Sequence, residues 1–167
     1  VNTHQLNGDF TYPGSGITAN QLETWNHLNM FTGSLADPSR YLSSVAINDD
    51  RATSSHKILS YLDANCGHCH RPGGVEGAFD GRMAIPFGSH NLVNMPVDGP
   101  NSVPGGVVVK PGSLEESELY IRDNKLGTNA MPPLAKNLID QPYIEELGGW
   151  ILDLQENTDT YPYIGEV

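Results

Sequence analysis

Apolar residues recur at helical spacing in the segment that leads to the first cysteine. Ile58, Leu59 and Leu62 lie among polar residues there, at intervals that put them on one side of a helix. Thr53 stands at the start of the segment and carries a side-chain oxygen of the kind that caps helix N-termini. The pattern predicts a helix that ends beside Cys66.

A second helix is predicted near the C-terminal end of the chain. Asp140 can cap it, and Pro142 suits its first turn. Its apolar side consists of Ile144, Leu147, Gly148, Ile151, Leu152 and Leu154, with Trp150 nearby. Because glycine disfavours helices, Gly148 and Gly149 indicate a place where the backbone of another helix approaches closely.

Weaker patterns predict three further elements. A helix is expected from Leu114 to Asp123, preceded by Ser113 and with acidic residues in its first turn. The short apolar run 107–109 is typical of a strand. Upstream, Thr18 can cap a helix whose apolar side consists of Leu22, Trp25, Leu28 and Phe31.

The composition is that of a loop-rich chain with a modest core. Among 167 residues there are 18 glycines and 12 prolines, and apolar residues make up 38%. No apolar run is long enough to cross a membrane. The net charge of −11 disfavours binding to nucleic acid phosphates and to anionic membrane surfaces. We therefore expect no nucleic acid partner and no membrane insertion.

The two cysteines of the chain lie in one motif, Cys66-Gly67-His68-Cys69-His70. A Cys-x-x-Cys-His string is the attachment site of c-type haem. Two intervening residues allow a tight turn that presents both sulfurs to the two vinyl groups along one porphyrin edge, and the next histidine can ligate the iron. The motif predicts one covalent haem c, with Cys66 and Cys69 as anchors and His70 as the proximal ligand.

Three other uses of the cysteine pair stay open at this point. A disulfide between Cys66 and Cys69 would close a very small loop and constrain little. A thioredoxin-like redox pair needs a preceding strand, whereas a helix is predicted here. A structural zinc site needs four ligands, and His56 or His90 could complete such a set.

Met131 is the predicted second ligand of the iron. It directly precedes two prolines, which restrict the backbone and hold the sulfur in place. A nitrogen and a sulfur ligand together fill both axial positions, which favours electron transfer over binding of oxygen or peroxide. Met83, Met95 and His90 are the competing ligands. A further alternative is that Met131 only fills space in the core.

The order of these features resembles a class I cytochrome c domain over residues 53–156. Residues 61–74, Tyr-Leu-Asp-Ala-Asn-Cys-Gly-His-Cys-His-Arg-Pro-Gly-Gly, look like part of the second haem module of exported bacterial dihaem c-type cytochromes. The strings at 110–113, 131–134 and 150–151 are similar to that module as well. This chain departs from the family in holding a single haem motif, so any first haem would lie before Val1.

The resemblance implies an all-α, loop-rich helical domain wrapped around one covalent haem. We expect an N-terminal extension with one short helix over residues 1–52, the cytochrome domain over residues 53–157 and a tail over residues 158–167. The resemblance also implies that Arg122 pairs with a haem propionate, the alternative being a solvated helix charge. The upstream helix is expected to dock on the domain; a former haem site and a partner interface are the alternatives.

The function expected from these features is single-electron transfer by a His/Met-ligated, low-spin monohaem cytochrome that is not itself an enzyme. Such modules are similar to cytochromes appended to quinoprotein dehydrogenases and secreted polysaccharide-degrading proteins. The expected partner is therefore a dehydrogenase, an oxidase or an oxidative polysaccharide-degrading enzyme. A haem peroxidase or oxidase with an open iron position and a zinc-binding module are the alternative functions.

The compartment follows from the chemistry of haem attachment. Because haem c is attached outside the bacterial cytoplasm, we expect a periplasmic, cell-surface or secreted bacterial protein, and a monomer. The chain begins at Val1 without the charged and apolar pattern of a signal peptide. We interpret it as a mature or excised segment.

Overall fold

A computed structural model describes residues 3–33, 35–75, 79–97, 99 and 102–154 of the chain. The chain divides after Val45 into two compact units. Described residues 3–45 belong to the first unit, and those from Ala46 to Leu154 belong to the second.

The first unit combines short helices with a β-hairpin. Its elements in chain order are α1 (Thr3–Leu6), β1 (Asp9–Thr11), β2 (Thr18–Asn20), α2 (Gln21–His27) and a 3₁₀ turn (Pro38–Arg40). The two strands pair antiparallel, with Phe10 opposite Ala19. The buried amide of Asn7 holds the unit together, since its Nδ2 donates to the carbonyl oxygens of Pro38 and Tyr41 at 2.9 Å.

This unit departs from the all-α prediction and from the predicted upstream helix. The hairpin is a small two-stranded sheet beside the helices, so the chain is mixed and not clearly all-α. Thr18 lies in β2, and the cap of α2 is Asn20, whose side chain accepts from the Leu22 amide at 2.9 Å. The helix ends at His27, so Leu28 does not join its apolar side and is 61% exposed.

The second unit is built around two packed helices. Its elements are α3 (Ser54–Asn65), a 3₁₀ turn (Phe87–Ser89), α4 (Glu118–Asp123) and α5 (Gln141–Asp153). The core between α3 and α5 contains the fully buried side chains of Ile58, Leu62, Leu147 and Ile151. Burial of each such side chain stabilises the fold by about 1.5–3 kcal/mol. The indole Nε1 of Trp150 donates to Ser55 Oγ at 3.0 Å and ties the same two helices together.

The two strongly patterned helices are confirmed with their caps. Thr53 Oγ1 accepts from the His56 amide at 3.2 Å at the start of α3. Asp140 Oδ1 accepts from the Tyr143 amide at 3.3 Å at the start of α5. The assignment of Leu152 to the apolar side of α5 was wrong, because its side chain is 55% exposed.

The two glycines of α5 do not face another helix backbone. A Cβ on Gly148 would meet side chains, namely the Tyr120 ring at 3.3 Å and Leu114 at 4.0 Å, and one on Gly149 would meet nothing within 4 Å. A bulkier residue at Gly148 would therefore press on the ring of Tyr120. Gly149 lies in open space.

The helix predicted from Leu114 to Asp123 begins later than expected. Ser117 is fully buried, and its Oγ donates to Ser113 O at 2.6 Å and accepts from the Lys110 amide at 2.8 Å. These bonds hold residues 113–117 in a turn, so α4 begins at Glu118. The run 107–109 forms isolated β-bridges instead of a continuous strand.

The length of the helices bears on the expectation that the chain does not insert into a membrane. Among the residues with described coordinates, none of the helices has the length and apolar character needed to cross a membrane. The longest of them, α5, has 13 residues.

Candidate functional site

The cysteine motif forms a tight turn at the end of α3. The amides of Cys66 and Gly67 both donate to Leu62 O at 2.8 Å. The amides of Cys69 and His70 then donate to Cys66 O at 3.0 and 2.8 Å. The helix therefore ends at the motif, and the following turn brings both cysteines and His70 into one short segment.

Both cysteines carry free thiols. Burial raises the pKa of the Cys66 thiol to about 12, and the nearby carboxylate of Asp123 adds to this effect. Catalytic redox cysteines have lowered pKa values, because the thiolate is the reactive form. The environment of Cys66 is therefore unlike that of a thioredoxin-type redox pair.

A cleft next to this turn brings together four of the five predicted site residues. It contains about 640 Å³ of space free of atoms, part of which is open to solvent. The residues that line it are Cys66, His70, Phe79, Val97, Val108, Glu118, Leu119, Arg122, Asp123 and Met131. Cys69 is half-buried and lies in the turn outside this lining.

His70 is held by a loop that follows the motif. The ring of Phe79 stacks on the His70 ring, with centroids 4.3 Å apart and planes 13° from parallel. The amide of Gly81 donates to His70 O at 2.8 Å. Sequence reasoning identified His70 but neither of these neighbours, because no spacing pattern connects them to it.

The segment that follows the motif also contains His90 and Met83, which the sequence offers as competing ligands. His90 is fully buried, and its Nδ1 lies 2.7 Å from Asp80 O. Met83 is buried against Ser60, whose Oγ lies 3.4 Å from the Met83 sulfur. Neither residue lines the cleft, and neither does the half-buried Met95. The structure thus brings Met131, and not these competitors, to the cleft that contains His70.

Met131 is anchored through its backbone. Its amide donates to Arg122 O at 3.0 Å, and its carbonyl accepts from Lys136 Nζ at 2.8 Å. Its half-buried side chain also lines a second cleft, which shares Cys66 and Asp123 with the first. Met131 is therefore not a fully enclosed core residue.

Arg122 is not a solvated helix charge. Its side chain is 20% exposed, and its Nε donates to Glu118 Oε2 at 2.8 Å. The Glu118 carboxylate is 4% exposed and also accepts from the Val103 amide. Because a guanidinium has five donors, this ion pair leaves Arg122 able to bind a second anion. Sequence reasoning missed Glu118, although its i,i+4 spacing from Arg122 is a signal of pairing.

A buried carboxylic acid lies between the two clefts. Asp123 is 6% exposed, and the hydroxyl of Tyr143 donates to its Oδ2 at 2.8 Å. The Tyr143 ring stacks on Tyr61, with centroids 3.5 Å apart. Burial raises the pKa of Asp123 to about 6, although the hydrogen bond from Tyr143 and the charge of Lys136 oppose the shift. Sequence reasoning did not single out this cluster.

The zinc alternative finds no ligand set in the described part of the chain. No three His, Cys, Asp or Glu side chains come together there as a group that could hold a metal ion. His56 and His90 therefore do not complete a four-ligand site with the two cysteines.

The lining of the cleft is chemically compatible with a haem. Phe79, Val97, Val108 and Leu119 offer apolar contact surface for a porphyrin. The same lining contains a thiol, an imidazole, a thioether and a guanidinium, which are the groups that anchor a haem, ligate its iron and pair with its carboxylates. No protein-family model, curated protein or solved structure matches this chain.

Proposed function

We propose that this protein is a monohaem c-type cytochrome that carries single electrons between redox partners. In this proposal Cys66 and Cys69 are the covalent anchors, His70 is the proximal ligand and Met131 is the distal ligand. The observation that carries it is that Cys66, His70 and Met131 line one cleft. His70 and Met131 come from distant parts of the chain, and the fold brings them to the same space.

When bound, haem supplies reversible one-electron chemistry at its iron. The chain would hold it by residues of three kinds. The motif turn presents the thiols, the apolar side chains of the lining exclude water, and Arg122 offers donors to a carboxylate. One thioether and one imidazole ligand would give the iron a higher reduction potential than two imidazole ligands. We therefore expect a higher potential than that of a bis-histidine cytochrome.

The partner and the compartment belong to the same proposal. An exported bacterial cytochrome of this kind would exchange electrons with a dehydrogenase, an oxidase or an oxidative polysaccharide-degrading enzyme. The net charge of −11 would speed encounter with a basic partner surface, and added salt would slow it. The place of the protein in the periplasm, at the cell surface or outside the cell follows from where haem c is attached.

The decisive experiment is expression of the full chain, with an export signal, in a bacterium competent for cytochrome c maturation. We expect a coloured protein whose denatured mass exceeds that of the polypeptide by one haem. Replacing both cysteines, in Cys66→Ala/Cys69→Ala, should abolish the covalent gain in mass. A colourless wild-type protein from this host would contradict the proposal.

The ligand assignment is tested by a matched pair of methionine variants. Met131→Ala should retain covalent haem, lose the spectral signature of sulfur ligation and show a lower potential. Met95→Leu removes a methionine outside the cleft and should behave as wild type. Unchanged spectra and potential in Met131→Ala would refute the assignment. Rapid binding of cyanide and turnover of peroxide by the wild type would instead favour the peroxidase alternative.

A further inference from the structure

We propose that Lys136 is a positioning residue that holds the backbone of Met131 in place at the cleft. The inference rests on the proposed function, because it concerns how firmly the sulfur ligand is presented. It adds a residue outside the ligand set, and its role is exerted through Met131.

The ammonium group of Lys136 bridges two backbone carbonyls. Its Nζ donates to Met131 O at 2.8 Å and to the carbonyl oxygen of Asp123. Asp123 is the last residue of α4, so Lys136 joins the end of that helix to the residue that carries the sulfur. The Met131 amide donates to Arg122 O at 3.0 Å in the same region. Three hydrogen bonds therefore close the base of the loop formed by residues 123–131.

The residues that follow Met131 add little to its anchoring. Residues 132–135 are all exposed, and the chain becomes half-buried again at Lys136. Exposed residues bury little surface and so hold a segment only weakly. Ala130 is buried and holds the chain before Met131, so on the C-terminal side the position of Met131 depends on the bonds at the base of the loop. Lys136 makes two of these bonds.

Lysine has the chemistry that this place requires. An ammonium group has three donors and can serve two carbonyls at once. Hydrogen bonds from a charged donor are stronger than those between neutral groups. A positive charge is also favourable where the carbonyls at the end of a helix are exposed. An apolar side chain of similar length would leave both carbonyls without this donor.

The test uses the haem-loaded full chain and three variants. Lys136→Met keeps the length of the side chain and removes its donors, whereas Lys136→Arg keeps a charged donor. Lys125→Met removes a half-exposed lysine on the same loop and serves as the matched control. The measured quantity is the rate at which imidazole replaces the native sulfur ligand in the oxidised protein. Thermal unfolding and the reduction potential are recorded on the same samples.

We expect Lys136→Met to exchange about tenfold faster than wild type, the factor expected for loss of the charge-assisted hydrogen bond to Met131 O, which is the one of its two bonds that acts on Met131 directly. Its potential should fall, while Lys136→Arg and Lys125→Met should stay close to wild type. A purely structural role would lower the unfolding temperature of Lys136→Met without changing imidazole exchange, and this result would overturn the inference. Exchange that is equally fast in Lys136→Arg would overturn it as well.

Failure of this inference is distinguishable from failure of the proposed function. If the proposed function is wrong, the wild-type protein lacks covalent haem or shows no sulfur ligation. If only the positioning role is wrong, the wild type has both properties and Lys136→Met exchanges its ligand at the wild-type rate.

Discussion

The backbones of Gly67 and Gly81 are in direct contact. A Cβ atom on Gly81 would lie 3.0 Å from the Gly67 nitrogen and 3.2 Å from its Cα. The neighbouring Gly81 amide donates to His70 O at 2.8 Å. The loop after the motif therefore packs against the cysteine turn itself, and a side chain at Gly81 would press on the backbone of that turn.

Gly81→Ala should destabilise the protein by about 1–3 kcal/mol, because the added methyl group meets backbone atoms that cannot move aside cheaply. Gly149→Ala in α5 is the control, since nothing lies within 4 Å of its Cβ position. That change should stabilise the protein by about 0.5–1 kcal/mol through helix propensity. Unfolding by denaturant measures the change in the free energy of unfolding for each variant. A Gly81→Ala protein as stable as wild type would show that the contact is not tight.

Ser117→Ala should lower the free energy of unfolding by about 1–3 kcal/mol, because it removes the fully buried hydroxyl that accepts from the Lys110 amide. Ser113→Ala removes a hydroxyl that accepts from the Glu116 amide at 3.3 Å in an exposed position. We expect this control to cost less than about 1 kcal/mol. Chemical denaturation measures the free energy of unfolding of both variants. An equal decrease in the two variants would contradict the role assigned to Ser117.

Arg122→Gln should destabilise the protein by about 3–5 kcal/mol, since it leaves the buried Glu118 carboxylate unpaired. The double variant with Glu118→Gln should recover part of this loss, which a double-mutant cycle quantifies. Arg51→Gln provides the comparison. Arg51 pairs with Asp49 at 3.0 Å but is 91% exposed, so its loss should change stability by less than about 1 kcal/mol. Additive effects of the two single changes would rule out the pairing.

Asp123 should give stability a distinct pH dependence. Burial raises its pKa on folding from 3.8 to about 6. The folded state therefore binds more protons than the unfolded state between these values, and the contribution of Asp123 to stability is lost as the pH rises through this window. The loss amounts to roughly 3 kcal/mol.

Asp123→Asn should remove that dependence while keeping an acceptor for the Tyr143 hydroxyl. The measurement is the free energy of unfolding at pH 4.5 and pH 7 for wild type and variant. Asp153→Asn, which removes an exposed carboxylate from α5, should retain the wild-type difference between the two pH values. If Asp123→Asn shows the wild-type difference in stability between pH 4.5 and pH 7, another group causes the pH dependence.

Local sequence patterns were sufficient to predict α3 and α5. Each combines an apolar side of helical period with a capping residue, Thr53 or Asp140, and both caps form the expected hydrogen bonds. The predicted start of α4 was wrong because the Ser117 hydroxyl accepts a hydrogen bond from the amide of Lys110, seven residues earlier. The β-hairpin was missed because its strands have three residues each and are mostly exposed, so they carry no alternating apolar pattern.

The motif, the two long helices and the candidate ligands are properties of short stretches of sequence, because helix periods, caps and the spacing of cysteines are local. Their assembly is not local. The meeting of His70 and Met131 at one cleft, the bond from Trp150 to Ser55 and the burial of Asp123 depend on which distant segments meet. Such contacts arise from the packing of the whole unit, which no spacing rule encodes. The haem remains a prediction of the motif, and the tertiary structure contributes the cleft in which that prediction can be tested.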